Sequence, residues 1–236
     1  MVIFKPRSEV NATMQNRLRS HALIAKNLTI ARGDTELCSK IDFSVFSGQI
    51  LHIQGSNGIG KTTLMMMLAG LIPLLDLDET HLMWGDQSPK DWLVLYIGHS
   101  AGLNAGLSVR ENLRFVQSLN ADSFQDLDNA LDAVGLTGYE DIHVAQLSSG
   151  QKRRVSLARL WLSEDADRLW LLDEPFTALD AAMTKRLSER LIEHMNAGGR
   201  VILTSHQPLS VPVEILNLEK YALQFDGCDV ERASEY

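Results

Sequence analysis

The chain has 236 residues, a formal net charge of −8 and 45% hydrophobic residues. That is enough apolar material for one large domain or two small ones and excludes global disorder, while the acidic balance argues against a nucleic-acid binder, which needs a basic footprint to displace counterions. The two cysteines, Cys38 and Cys228, form no CxxC or CxxCH pattern and read as reduced thiols.

Residues 1–20 are polar, with Lys5, Arg7, Arg17 and Arg19 but no apolar stretch behind them. This is not a secretory signal. It reads as a flexible tail, or as an overlong start with Met14 nearer the true beginning. No apolar run reaches the roughly 18 residues of a membrane helix; the nearest, Leu64 to Leu77, is broken by Gly70, Pro73 and Asp76. The chain is therefore expected on the cytoplasmic side, with membrane attachment made through a partner.

Leu23–Ala31 and Ile41–Phe46 read as strands around a Gly33-Asp34 turn, and Ser47-Gly48 turns into a third strand, Ile50–Gln54. A helix follows from Thr63 to Gly70; its Met65, Met66 and Met67 suit adaptable core packing. Leu93–Ile97 is a short strand. Ser108–Leu119 and Ser123–Val134 have helical spacing, with Ser108 and Ser123 as N-caps, Glu111 completing a capping box, and Gly135 and Gly138 ending the second helix. Ser149–Leu162 is a third helix of this stretch. Strands return at Arg168–Leu172 and Arg200–Thr204. Between them Asp180–Asn196 repeats apolar residues at Met183, Leu187, Leu191 and Met195, while Lys185, Arg186, Glu189, Arg190 and Glu193 read as a solvated face. Alternating strands and helices imply an α/β fold with a mostly parallel sheet covered on both faces. The helical stretch from about 98 to 164 reads as an insertion.

Three segments carry chemistry. Gly55-Ser56-Asn57-Gly58-Ile59-Gly60-Lys61-Thr62 follows a strand and opens a helix, which is the P-loop pattern in its required context. Glycines let the backbone wrap a phosphate, the helix start offers unpaired N–H groups, Lys61 supplies a mobile charge for the β- and γ-phosphates and Thr62 a hydroxyl for Mg²⁺. Two fixed glycines with Lys and Ser/Thr arise by chance in on the order of 1% of chains this long. Asp173 and Glu174 end an apolar strand, where open α/β sheets place ligand chemistry. Two adjacent acids repel unless a cation helps; Asp173 facing Mg²⁺ leaves Glu174 to activate the attacking water. His206, ending the next strand, is placed to bond a γ-phosphate. The third segment is Leu147-Ser148-Ser149-Gly150-Gln151, whose helix start can also face a phosphate.

With these residues in view, the chain from about Leu23 to Leu218 resembles the nucleotide-binding subunits of ATP-binding cassette (ABC) transporters. The resemblance rests on the P-loop, the Leu147–Gln151 signature and the Asp173-Glu174 strand in that order. It implies a P-loop NTPase of RecA-like type with an antiparallel β edge and an inserted α-helical subdomain, in one ABC domain over 21–225 with tails at 1–20 and 226–236. It also implies a head-to-tail homodimer holding two ATP molecules. Gly55 to Thr63 of one copy and Ser148, Ser149, Gly150 and Gln151 of the other would contact each ATP, Thr62 and Asp173 would hold Mg²⁺, and Glu174 and His206 would act in hydrolysis.

A narrower resemblance is to the ATPases of the cytochrome c maturation system, the haem exporter ATP-binding subunits. Tyr96-Ile97-Gly98-His99, Gln151 to Leu162, Leu172 to Asp180 and His206-Gln207-Pro208-Leu209 carry it. It implies polytopic, permease-like partners, a peripheral place on the cytoplasmic face of the inner membrane, and export of haem or release of a haem-loaded chaperone. The sequence shows no haem site, so partners are expected to hold haem. Two positions depart from the general pattern: His99 stands where most members have glutamine and is not read as a metal ligand, and Arg32 stands where most have an aromatic for adenine, a surface a guanidinium can also provide. Other readings stay open here: another ABC transporter, a soluble ABC ATPase acting on ribosomes or DNA, or a non-catalytic scaffold. One cassette, no heptad run and the acidic balance disfavour the ribosome or DNA reading; intact Lys61, Asp173 and Glu174 disfavour the scaffold.

Overall fold

In the computed structural model, residues 22–33, 35–75, 80–84, 92–119, 126–163 and 168–223 are described. The expected tails at 1–20 and 226–236, Asp34 of the first turn, Cys228 and the Ser123 cap lie outside them.

Five strands form a parallel sheet: β3 (Gln49–Gln54), β5 (Val94–Ile97), β6 (Leu169–Leu172), β7 (Arg200–Thr204) and β8 (Glu214–Asn217), in the order β5-β6-β7-β3-β8. Their side chains alternate between two cores, as a two-residue period demands. Ile50, Trp170, Leu172, Val201 and Leu203 face one core; Leu51, Ile53, Leu169, Leu171 and Ile202 face the other. Every residue of β6 is buried, as expected of a strand covered on both faces.

The antiparallel part is a sheet of its own. β1 (Leu23–Arg32) pairs with β2 (Thr35–Val45) on one side and β4 (His81–Trp84) on the other. β2 begins six residues before the apolar run that announces it, because Thr35, Glu36 and Cys38 continue the ladder opposite Arg32, Ala31 and Ile30 across a register shift. Helix α1 (Lys61–Leu68) buries Leu64, Met65, Met67 and Leu68 in the core beneath this sheet.

Between β5 and β6 the chain is helical: α2 (Val109–Leu119), α3 (Leu127–Ala133), a 3₁₀ turn at Val144–Gln146 and α4 (Ser149–Ala158). The Ser108–Glu111 capping box is present, with reciprocal bonds of 3.2 and 2.8 Å. Asp126 caps α3 by accepting from the Asp128 and Asn129 amides. Gly135, at φ +67°, ends that helix, and Leu136 N bonds Leu131 O at 2.8 Å. These helices have no core separate from the sheet: Val109, Leu113, Leu131, Val155 and Leu157 join Trp170 and Leu203 in one cluster.

Helix α5 (Ala181–Asn196), capped by Asp180, buries Met183, Leu187 and Leu191 as its periodicity predicts, and also His194. The His194 ring stacks on Trp170 with centroids 3.7 Å apart. The charged face of α5 corrects the expectation of simple solvation. Arg186 donates to Asp132 O and Ala133 O at 3.0 Å each. Arg190 donates to Leu160 O and Ser163 O and lies over the Trp170 ring. Lys185 and Glu189 form the exposed i,i+4 pair that a solvated face implies, and exposed Glu193 pairs with the shielded Arg190 at i,i+3.

Candidate functional site at the strand ends

The loop between β3 and α1 has the shape its glycines allow. Gly60 is at φ +111°, and a Cβ there would lie 2.8 Å from Ile30 Cγ2; one on Gly55 would lie 2.9 Å from Ile59 Cγ2. Both positions exclude a side chain. No side chain caps the start of α1 and its first turn carries no acid, which leaves that end electropositive. Lys61 Nζ donates to the carbonyls of Gly55 at 2.7 Å and Ser56 at 3.0 Å. From the outside of the loop, Glu219 accepts the Ser56 amide at 2.7 Å. That bond and the nearby Lys61 charge hold the Glu219 carboxyl below its usual range.

The acid pair is built by strand register. Leu172 lies opposite Leu203, which brings Asp173, the next residue of one strand, beside Thr204, the last of the other. Thr204 Oγ1 donates to Asp173 Oδ1 at 2.7 Å, and the other carboxylate oxygen accepts from Thr62 Oγ1 at 2.8 Å. A hydroxyl and a carboxylate at this spacing are the hard oxygen donors Mg²⁺ takes alongside phosphate oxygens. Glu174 adopts φ +52°, uncommon for a residue with a Cβ. Its amide is held by Thr204 Oγ1 at 2.9 Å. Its carboxylate accepts from the His206 amide at 3.2 Å, and Oε1, buried without a hydrogen bond, lies 3.5 Å from His206 Nε2. A carboxylate that lines the cavity beside a histidine is what a water-activating base needs.

His52, on β3, supports the histidine loop from beneath. The Ser205 carbonyl can only accept, so His52 Nε2 carries the proton and donates to it at 3.1 Å, and Nδ1 accepts from Gln54 at 3.2 Å. Burial pulls this imidazole below its ordinary value, against opposing pulls from the Ser205 carbonyl and the Glu174 charge.

These groups converge on one cavity of about 650 Å³, lined by Asn57, Gly58, Gly60, Lys61, Thr62, Thr63, Asp173, Glu174 and His206 and also by Arg32, Leu37, His99 and Thr177. A loop with an anion-accepting helix start, a lysine, two strand-end acids and a histidine thus share one space sized for a nucleotide. Comparison with known proteins agrees. The family model described as ABC transporter matches residues 38–177.

The chain belongs to the ABC transporter family.

It is an ATP-hydrolysing subunit of that family. The cytochrome c biogenesis ATP-binding export protein CcmA of Tatumella citrea is 44% identical over 213 residues, covering 88% of this chain and 98% of its own. The protein of the same description from Vibrio vulnificus (strain YJ016) is 44% identical over 197 residues, covering 79% and 93%. An ABC transporter ATP-binding protein from Pyrococcus furiosus, 24% identical, superposes with a TM-score of 0.74 over 86% of this chain and 100% of its own, a likeness of fold.

Against this ABC framework, the predicted residues divide into two groups. Asn57, Gly58, Gly60, Lys61, Thr62, Thr63, Asp173, Glu174 and His206 are brought together. Ile59 is buried in the core beneath, Gly55 opens onto a neighbouring cavity, and Ser56 lines neither, its amide held by Glu219 and its carbonyl by Lys61. Ser148, Ser149, Gly150 and Gln151 do not line the cavity. There Ser148 caps α4 by accepting the Gln151 amide, and Gln151 returns a bond to Ser148 N, so the helix start is ordered but stands outside the cavity, with Gly150 beside the Ala178 carbonyl. Among the described residues no helix is long and apolar enough to cross a membrane.

Three supporting residues escaped the sequence reading. Thr204 had a signal, since a threonine closing an apolar strand beside the acid strand falls level with Asp173 once their register is known. His52 and Glu219 had none.

Proposed function

We propose that this chain is the ATPase of a cytochrome c maturation complex, coupling ATP hydrolysis in a head-to-tail homodimer to export of haem or release of a haem-loaded chaperone. Gathering of the loop, the acid pair and His206 in one cavity, with the Ser148–Gln151 helix start outside it, carries the reading. A second copy supplies that helix start, whose dipole and free amides then close on the terminal phosphate. The relatives' description supports the cytochrome c role.

In this reading residues 21–225 form the ATPase domain, with an inserted helical part at about 98–164. The Gly55–Thr63 backbone and Lys61 hold the phosphates. Thr62 and Asp173 hold Mg²⁺, which when bound neutralises charge on the phosphate oxygens. Glu174 orients and deprotonates water with its carboxylate. His206 bonds the γ-phosphate and keeps Glu174 oriented. Arg32 and Leu37 face the base. Haem stays with polytopic, permease-like partners, which keep the chain at the cytoplasmic face of the inner membrane.

The test is Glu174→Gln, which retains shape and removes the base. ATP should bind and drive a stable dimer on a sizing column, with turnover abolished. Wild-type turnover would sink the catalytic reading, and a variant that binds ATP but stays monomeric would sink the dimer. Purification from membranes, with haem spectra of the recovered complex, tests the partners: recovery without a polytopic protein counts against them, and recovery with ribosomes or DNA favours the other class.

A further inference from the structure

Arg153 lies one turn into α4 and is 7% exposed. Its Nη1 donates to Gly98 O at 2.7 Å, and its Nη2 to Asp173 O and Glu174 O at 2.8 Å each. Gly98 follows β5, and the two acids follow β6. One planar cation therefore joins two strand ends to the helix that Ser148 and Gln151 cap. The carboxylates of Asp173 and Glu174 help to keep the buried guanidinium charged against the cost of desolvation.

Glu174 needs such a hold. Its left-handed backbone is a conformation that persists only when the surroundings over-determine it. Thr204 fixes the amide side of the residue and Arg153 the carbonyl side. Without the second hold, the Asp173-Glu174-Pro175 turn can relax toward an ordinary conformation and swing the carboxylate away. Lysine, with a point charge on a flexible stem, cannot reproduce the forked geometry.

We propose that Arg153 is a positioning residue for hydrolysis: it holds Glu174 in its strained, cavity-facing conformation and locks that conformation to the loop after β5 and to the signature helix. This deepens the reading of Glu174 as the base and rests on it.

The experiment compares Arg153→Met and Arg153→Lys in the full chain, each in the wild-type and Glu174→Gln backgrounds. It measures kcat and KM for ATP, Kd for a fluorescent ATP analogue, and Tm. Arg153→Met should lower kcat on the order of 10²-fold, the loss typical of a displaced catalytic group, with Kd changed by less than about two-fold. Arg153→Lys should recover part of the rate. In the Glu174→Gln background neither variant should lower the residual rate further, because both act through one acid. Full kcat in Arg153→Met beside an inactive Glu174→Gln overturns the inference and leaves the proposed function standing. An active Glu174→Gln overturns both. If Arg153→Met does not fold, Arg153→Lys decides: a fallen kcat at unchanged Kd and Tm supports the inference, and full kcat overturns it.

Discussion

Thr204 serves both halves of the acid pair at once: its hydroxyl donates to Asp173 Oδ1 at 2.7 Å and accepts the Glu174 amide at 2.9 Å. Thr204 is fully buried, so no water can take its place. Thr204→Val keeps the shape and leaves an acceptor and a donor unpaired, at a cost of about 1–3 kcal/mol. Denaturant unfolding should show that loss. The ATPase assay should show a kcat lowered by more than about ten-fold, with nucleotide affinity close to wild type.

Lys61 and Glu219 hold the phosphate loop from its two sides. Lys61→Ala should weaken ATP binding by at least about ten-fold, the scale of a lost charge-assisted contact; equilibrium titration with a fluorescent nucleotide checks it, and unchanged affinity would contradict the phosphate-loop reading. Glu219→Ala should raise KM for ATP by about three- to ten-fold and spare kcat, because the Ser56 amide loses its anchor while the acids are untouched. Glu219→Gln keeps a carbonyl acceptor and should restore KM.

His52 makes stability depend on pH. Its folded-state pKa lies below the ordinary 6.5, so below that value the unfolded chain binds more protons than the folded one, and stability rises with pH. The contribution is complete above pH 6.5 and is lost as pH falls through the window beneath it. His52→Gln removes the titration. The gap in Tm between wild type and variant should therefore shrink as pH drops from 7 to 5. A gap that stays constant would show that His52 does not titrate there.

The end of α5 leaves no room at Gly199, where a Cβ would overlap the His194 ring. That ring is pinned between Trp170 and the Arg168 carbonyl. Gly199→Ala should destabilise the chain by about 1–3 kcal/mol through overpacking. Removing the ring in Gly199→Ala/His194→Ala should give a smaller loss than the sum of the two single changes. Thermal unfolding of the three variants reads this directly.

The parts of the site that lie in contiguous strings were legible in the sequence, because a glycine loop between strand and helix and two acids ending an apolar strand carry their chemistry in local order. The major strands and helices were legible for the same reason, through apolar period. β4 and β8 were not, since each mixes polar or exposed residues with apolar ones over four positions, whereas the equally short β5 and β6 are unbroken apolar runs. Arg186 and Arg190 read as solvent-facing because helical spacing says nothing about carbonyls arriving from other segments. Glu219 lies 163 positions from Ser56, and Arg153 is 55 from Gly98. Only the folded chain brings such pairs together.

The helix start at Ser148 stands apart from the cavity its own chain builds. If two copies must meet head to tail to complete each site, catalysis is second order in protein: halving a dilute solution's concentration should quarter its total rate. Partners that tether two copies side by side would abolish that dependence. A solitary copy would then carry its nucleotide idly, and fuel would be consumed only where the assembled complex stands ready to use it.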